Sequence, residues 1–120
     1  MKYDLEERTS KLGINIILFC KKVRQGVITS PLINQLVRSG TSVGANYAEA
    51  DDAQTSKDFN YKICICKKES RETMHFLKMI AIAAPEMNNE AMILWQEAKE
   101  LNLIFNAIHN KLRSKGENIK

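Results

Sequence analysis

Glycine and proline are scarce in this chain, five and two among 120 residues. That is too little punctuation for the many short strands of a sandwich or barrel, and it points to a few long helices. Cysteine is limited to Cys20, Cys64 and Cys66. Their number is odd, their spacing is not that of a metal site, and a Cys-x-Cys pair on a helix sends its sulfurs in different directions. They read as reduced thiols acting as small hydrophobes. Long apolar runs are also missing. The stretch INIILFC falls far short of the roughly 20 residues needed to span a bilayer. MKYDLEERTSKLG carries both signs of charge, unlike the basic-then-apolar lead of a signal peptide. The expected location is the cytoplasm, with no membrane partner.

What is present suits one globular domain. Apolar residues make up 44% and charged residues 27%, and the length allows a single core. The net charge of +4 and a pI near 9.0 permit an acidic partner without demanding one.

Four helical segments follow from the apolar spacing. Leu5, Thr9, Leu12, Ile16, Phe19 and Val23 alternate steps of four and three, which places a first helix at about 3–25, with Gly26 as its stop. Ser30 and Pro31 form an N-cap and first turn for a second helix at 31–53. Thr55 and Asp58 have capping-box spacing, which opens a third helix at 56–84 that ends at Pro85. Asn88 or Asn89 caps a fourth at 89–114, whose seam is Ala91, Leu94, Ala98, Leu101, Phe105, Ile108 and Leu112. The polar tail 115–120 is expected to fray. Four helices with short connections give an all-α, up-down-up-down antiparallel four-helix bundle.

The second helix contains an unusual segment, VRSGTSVGANYAEA, with no charge between Arg38 and Glu49. On a wheel of about 100° per residue, Leu32, Leu36, Val43, Tyr47 and Ala50 form a core face. Every other side of the middle turns is small or uncharged-polar. Such a helix is surrounded, and a bundle covers only part of it. The preferred reading is a subunit interface at Ser39, Thr41, Ser42, Ala45 and Asn46. The competing reading is a close helix crossing within one chain.

On the third helix Glu69 falls within the apolar face of Phe59, Cys66, Thr73, Phe76, Leu77, Ile80 and Ala84. A buried carboxylate needs a cation or hydrogen-bond donors, or it must take a proton. Arg38 is the natural partner, Lys62 a rival, and Glu49 and Glu72 are candidates to join a structural network around Arg38.

These same residues carry a family resemblance. Arg38-Ser39, Ser42 and Asn46-Tyr47-Ala48-Glu49 resemble the R-S-x-x-S-x-x-x-N-x-A-E signature of the four helix bundle protein family. That family includes proteins encoded in intervening sequences of bacterial 23S ribosomal RNA genes. The accessory variability proteins of diversity-generating retroelements are similar. KDFNYKICICKKESRET resembles the family's second block, with Glu69 and Glu72 in matching positions, while Ala50 departs from a common Gly. The resemblance implies a ring-shaped homopentamer, with no enzyme activity and no cofactor. Through the retroelement relatives it also implies nucleic acid (RNA or DNA) and a nucleic-acid enzyme as partners.

The outer side of the third helix carries Lys67, Lys68, Arg71, His75 and Lys78 within a stripe of about 100°. Lys67, Lys68, Arg71 and Lys78 are the candidate contacts to phosphates. No aromatic platform or recognition motif accompanies the stripe, so a solvated face is the preferred reading and a nucleic-acid site the competing one. Glu72-x-x-His75 is a single copy of a motif that di-iron bundles use twice. His109 lacks the matching Glu, so no catalytic or metal residues are assigned. The expectation is a non-catalytic oligomeric scaffold holding nucleic acid (RNA or DNA), or a nucleic-acid enzyme, without sequence specificity. The alternatives are a protein-interaction module and, behind it, a metal-dependent bundle enzyme.

Overall fold

The computed structural model describes residues 4–119, with side chains described for residues 4–115. Four α-helices form, α1 (Leu5–Lys22), α2 (Thr29–Asp51), α3 (Ser56–Ala83) and α4 (Asn88–Ile119), with no strand among the described residues. Pairings across the bundle run in opposite directions. Thr9 faces Gly44 while Ile16 faces Gly40, Arg38 meets Glu69 while Glu49 meets Lys62, and Lys67 meets Asn102 while Lys78 meets Trp95. Arg8 to Glu97 and Lys22 to Glu90 close the fourth side. The topology is therefore up-down-up-down. The long dimension of 52 Å matches α4, whose 32 residues rise about 48 Å.

The helix ends show which local signals operate. Thr55 caps α3, its hydroxyl accepting from the Asp58 N–H at 3.1 Å. α1 stops at Lys22, before Gly26, because Val23 turns extended and buries its side chain instead. α2 starts at Thr29, so Ser30 lies inside the helix rather than capping it. The Thr29 hydroxyl donates to the Arg24 carbonyl at 2.8 Å, and the Ser30 N–H to the Gly26 carbonyl at 2.9 Å. These bonds pin the α1–α2 turn from behind. After Pro85 a 3-10 turn over Pro85–Met87 runs directly into α4, so neither Asn88 nor Asn89 is a free-standing cap. α4 continues through 115–119, where fraying was expected, and residue 120 lies outside the described residues.

The first-helix seam is wholly buried, as are Leu36, Val43, Cys66, Leu77, Ile80, Leu101 and Phe105. Ile63, which the pattern of α3 did not single out, is fully buried as well.

Candidate functional site

Glu69 is 4% exposed and lies where α3 faces α2. Arg38 spans the gap, with Nη1 2.8 Å from Glu69 Oε2 and Nη2 on Glu72 Oε1, while its Nε donates to Gln35 Oε1 at 3.1 Å. Burial opposes the Arg38 charge, but Glu72 and Glu69 outweigh it and raise the guanidinium above its ordinary pKa. Beneath the pair the Thr73 hydroxyl is shared between the Glu69 carbonyl (2.8 Å) and Ser39 Oγ (3.1 Å). The network therefore holds Arg38, Glu69 and Glu72. Glu49 is not part of it: its Oε1 pairs with Lys62 Nζ at 2.9 Å. A wheel places Glu49 and Arg38 at one angle, but eleven residues separate them by about 16 Å along the axis. The same separation logic removes Lys62 as a rival for Glu69.

The uncharged middle of α2 packs against both neighbours, its glycines against α1 and Ser39 and Val43 against α3. A Cβ on Gly40 would stand 2.4 Å from Ile16 Cδ1, and one on Gly44 would stand 3.2 Å from the Thr9 carbonyl oxygen. Ser39 is fully buried within the chain against Thr73, which corrects its assignment to a subunit interface. Thr41 bonds to the Val37 carbonyl at 2.7 Å and lies beside Gly13. Asn46 Nδ2 donates to the carbonyl and hydroxyl of Ser42, both at 2.9 Å, along its own helix. Thr41 and exposed Ala45 line a shallow surface groove with Gly44, Ala48 and, from α1, Ile14 and Ile17. Close crossing within one chain thus explains Gly40, Gly44 and Ser39.

On the outer side of α3 the charges are unbalanced. Glu69 and Glu72 are held by Arg38, Glu97 and Glu100 by Arg8, Glu90 by Lys22, and Glu49 by Lys62. Lys67, Lys68, Arg71, Lys78 and, on α4, Lys99 have no carboxylate oxygen within 4.0 Å among the described residues. Asn102 Nδ2 bonds to the Lys67 carbonyl (2.8 Å) and Ser70 Oγ (3.0 Å), which fixes the register of α4 against this stripe. That register brings an aromatic ring to it. Lys78 Nζ lies 5.9 Å and Lys99 Nζ 5.3 Å from the centre of the Trp95 ring. This corrects the expectation of a stripe with no aromatic platform beside it: α4 supplies the ring. Lys99, one turn beyond Trp95 on the same face, was the sequence signal for it.

His75 is exposed and packs edge-on to Phe76 at 5.1 Å, away from the Arg38-bound Glu72. His109 meets α3 instead, with Nδ1 3.2 Å from Cys64 Sγ and 3.1 Å from Asn60 Oδ1. Cys64 is therefore half-buried in a polar contact, unlike the buried Cys20 and Cys66, which behave as small hydrophobes. Cys66 reaches the Val43 carbonyl at 3.6 Å. Burial pushes the Cys20 thiol up to about 11 and that of Cys66 up to about 12. Among the described residues no group of three or more His, Cys, Asp and Glu side chains is placed to hold a metal. None of the described helices is long and apolar enough to cross a membrane.

The same architecture occurs in a solved crystal structure, that of a protein of unknown function from the S23 ribosomal protein family of Bacteroides thetaiotaomicron. It shares 26% identity and a TM-score of 0.77, over 88% of this chain and 97% of the other. No curated protein matches the chain significantly. The sequence model of the family described as 23S rRNA-intervening sequence protein matches residues 2–106, nearly the whole bundle, and the chain belongs to that family.

Proposed function

We propose that this protein is a non-catalytic helical scaffold that associates with copies of itself and holds nucleic acid against the outer side of α3. The observation that carries the reading is the stripe Lys67, Lys68, Arg71 and Lys78, none of which has a carboxylate oxygen within 4.0 Å among the described residues, while Glu69 and Glu72 are turned to Arg38 and Glu97 and Glu100 to Arg8. Cations without partners keep their full charge for phosphates, and such contacts do not depend on base sequence.

Self-association is supported by the outer face of α1. Ile14, Ile17 and Leu18 are 42–55% exposed there, and Ile93 of α4 is 71% exposed across the cleft that Leu18 lines. Groups of this kind, on both sides of one helix, are usually covered by a partner. The resemblance noted from the sequence implies that the partner is the same chain, in a ring of five.

A second reading, a protein-interaction module without nucleic acid, draws on Val27 and Ile28, strongly exposed in the α1–α2 turn beside Ala83. One experiment separates the two. Binding to generic RNA and duplex DNA is measured at about 50 to 200 mM salt, where several phosphate contacts lose orders of magnitude in affinity. Solution mass is recorded on the same sample. The scaffold reading expects salt-sensitive binding by an oligomer, reduced by Lys67→Ala, Lys68→Ala and Arg71→Ala together. Absence of binding at the lowest salt rejects it in favour of the protein module.

A further inference from the structure

Trp95 is the chain's only tryptophan, and its environment is unusual for a bundle surface. The ring is half-buried, and its Nε1 is a buried polar atom with no hydrogen-bond partner among the described residues. Two ammonium groups, from Lys78 and Lys99, approach the ring at 5.9 and 5.3 Å, and neither has a carboxylate oxygen within 4.0 Å among the described residues. The α4 carboxylates nearest in sequence, Glu97 and Glu100, are turned to Arg8 on α1. What remains around Trp95 is an aromatic surface between two free cations, one of which ends the Lys67–Arg71–Lys78 line.

We propose that the Trp95–Lys78–Lys99 cluster is a stacking site for an unpaired nucleobase, so that a single strand of nucleic acid is the ligand of the α3 surface. The inference rests on the polyanion reading above and adds to it the class of strand. Bases in a duplex are already stacked on their neighbours and offer no face to a side chain. A single strand offers a base and phosphates on either side of it, which is the order of groups found here. An exposed ammonium–ring contact is weaker than a base stacked on the same ring, so a base displaces a lysine favourably and frees its charge for a phosphate. The Nε1–H reinforces this. Buried without an acceptor it is destabilising, and any outward shift of the ring that brings it an acceptor recovers that loss. From Lys67 to Lys78 the line extends about 16 Å along α3, long enough for a strand to run from the cations to the ring.

The single tryptophan makes its own probe. Its emission is followed while an oligothymidylate of about 15 nucleotides, a duplex DNA of the same length, or heparin is added at about 50 mM salt. The expected result is strong, saturable quenching by the single strand, with little change in emission on binding duplex or heparin. With a labelled oligonucleotide, Trp95→Leu is expected to weaken single-strand binding about ten-fold, and Trp95→Phe to retain most of it. Lys78→Ala with Lys99→Ala, which leaves the ring in place, should weaken single-strand binding as well. Duplex binding should be unaffected by either Trp95 variant. Single-strand binding with unchanged emission overturns the stacking site, as does wild-type affinity in Trp95→Leu, and either result leaves the polyanion reading intact. If none of the three polyanions binds, the polyanion reading fails and the stacking site with it.

Discussion

Gly44 of α2 lies against the backbone of Thr9 in α1, so close that a Cβ would stand 3.2 Å from the Thr9 carbonyl oxygen. Backbone cannot swing aside as a side chain does. Gly44→Ala should push the helices apart and cost about 1–3 kcal/mol, the range for overpacking. Gly40→Ala should behave similarly, since its Cβ meets the fully buried Ile16. Gly13→Ala is the control: its Cβ would find ordinary contacts at 3.5–3.7 Å. A helical Gly→Ala change there should be neutral or stabilising by up to about 1 kcal/mol. Chemical denaturation of the three variants checks the order, and equal midpoints would reject the close-approach account.

Removing the guanidinium of Arg38 leaves Glu69 buried and uncompensated. Breaking a fully buried pair costs about 3–5 kcal/mol. Arg38 itself is 47% exposed, so water re-enters and the expected loss is nearer about 2 kcal/mol. For a chain of this size the thermal midpoint should fall by about 5–10 °C. Arg38→Ala with Glu69→Gln should recover part of that loss, because the stranded charge is gone. A double variant no more stable than Arg38→Ala would contradict the pairing.

The thiols should differ in access and in pH response. Cys64, half-buried, should react with a disulfide reagent at neutral pH while Cys20 and Cys66 react only on unfolding. Mass spectrometry of the labelled peptides decides this. With folded-state values raised to about 11 and about 12, Cys20 and Cys66 hold their protons after the unfolded chain has lost its own. The native state then binds more protons than the unfolded one, and stability falls as pH rises from the ordinary thiol range, about 8.5, to about 12. Cys66→Ala should flatten that decline in urea titrations, and an unchanged slope would count against it.

Ile17 on the outer face of α1 makes the self-association testable without touching the core. Ile17→Glu should leave helix content unchanged and lower the solution mass seen by light scattering. An oligomer of undiminished mass would place the contact elsewhere.

Much of this molecule is legible in one dimension. Periodicity identifies the seam from Leu5 to Val23 because a helix repeats its buried face every three or four residues, whatever its neighbours are. The Arg38–Glu69 pair is legible for a related reason: a carboxylate within an apolar stripe requires a cation, and few are available. Axial distance is where the wheel fails. It superposes Glu49 on Arg38, and only the rise of the helix sends Glu49 to Lys62. The helix ends are equally indirect, since Gly26 is a stop signal by type while burial of Val23 ends α1 earlier. Tertiary structure alone decided what the small residues of α2 serve, because glycine is equally silent about a neighbouring helix and a neighbouring subunit. It also decided that Trp95 stands by Lys78 and His109 by Cys64, because the register between antiparallel helices is set by side-chain packing across the whole bundle rather than by any local pattern.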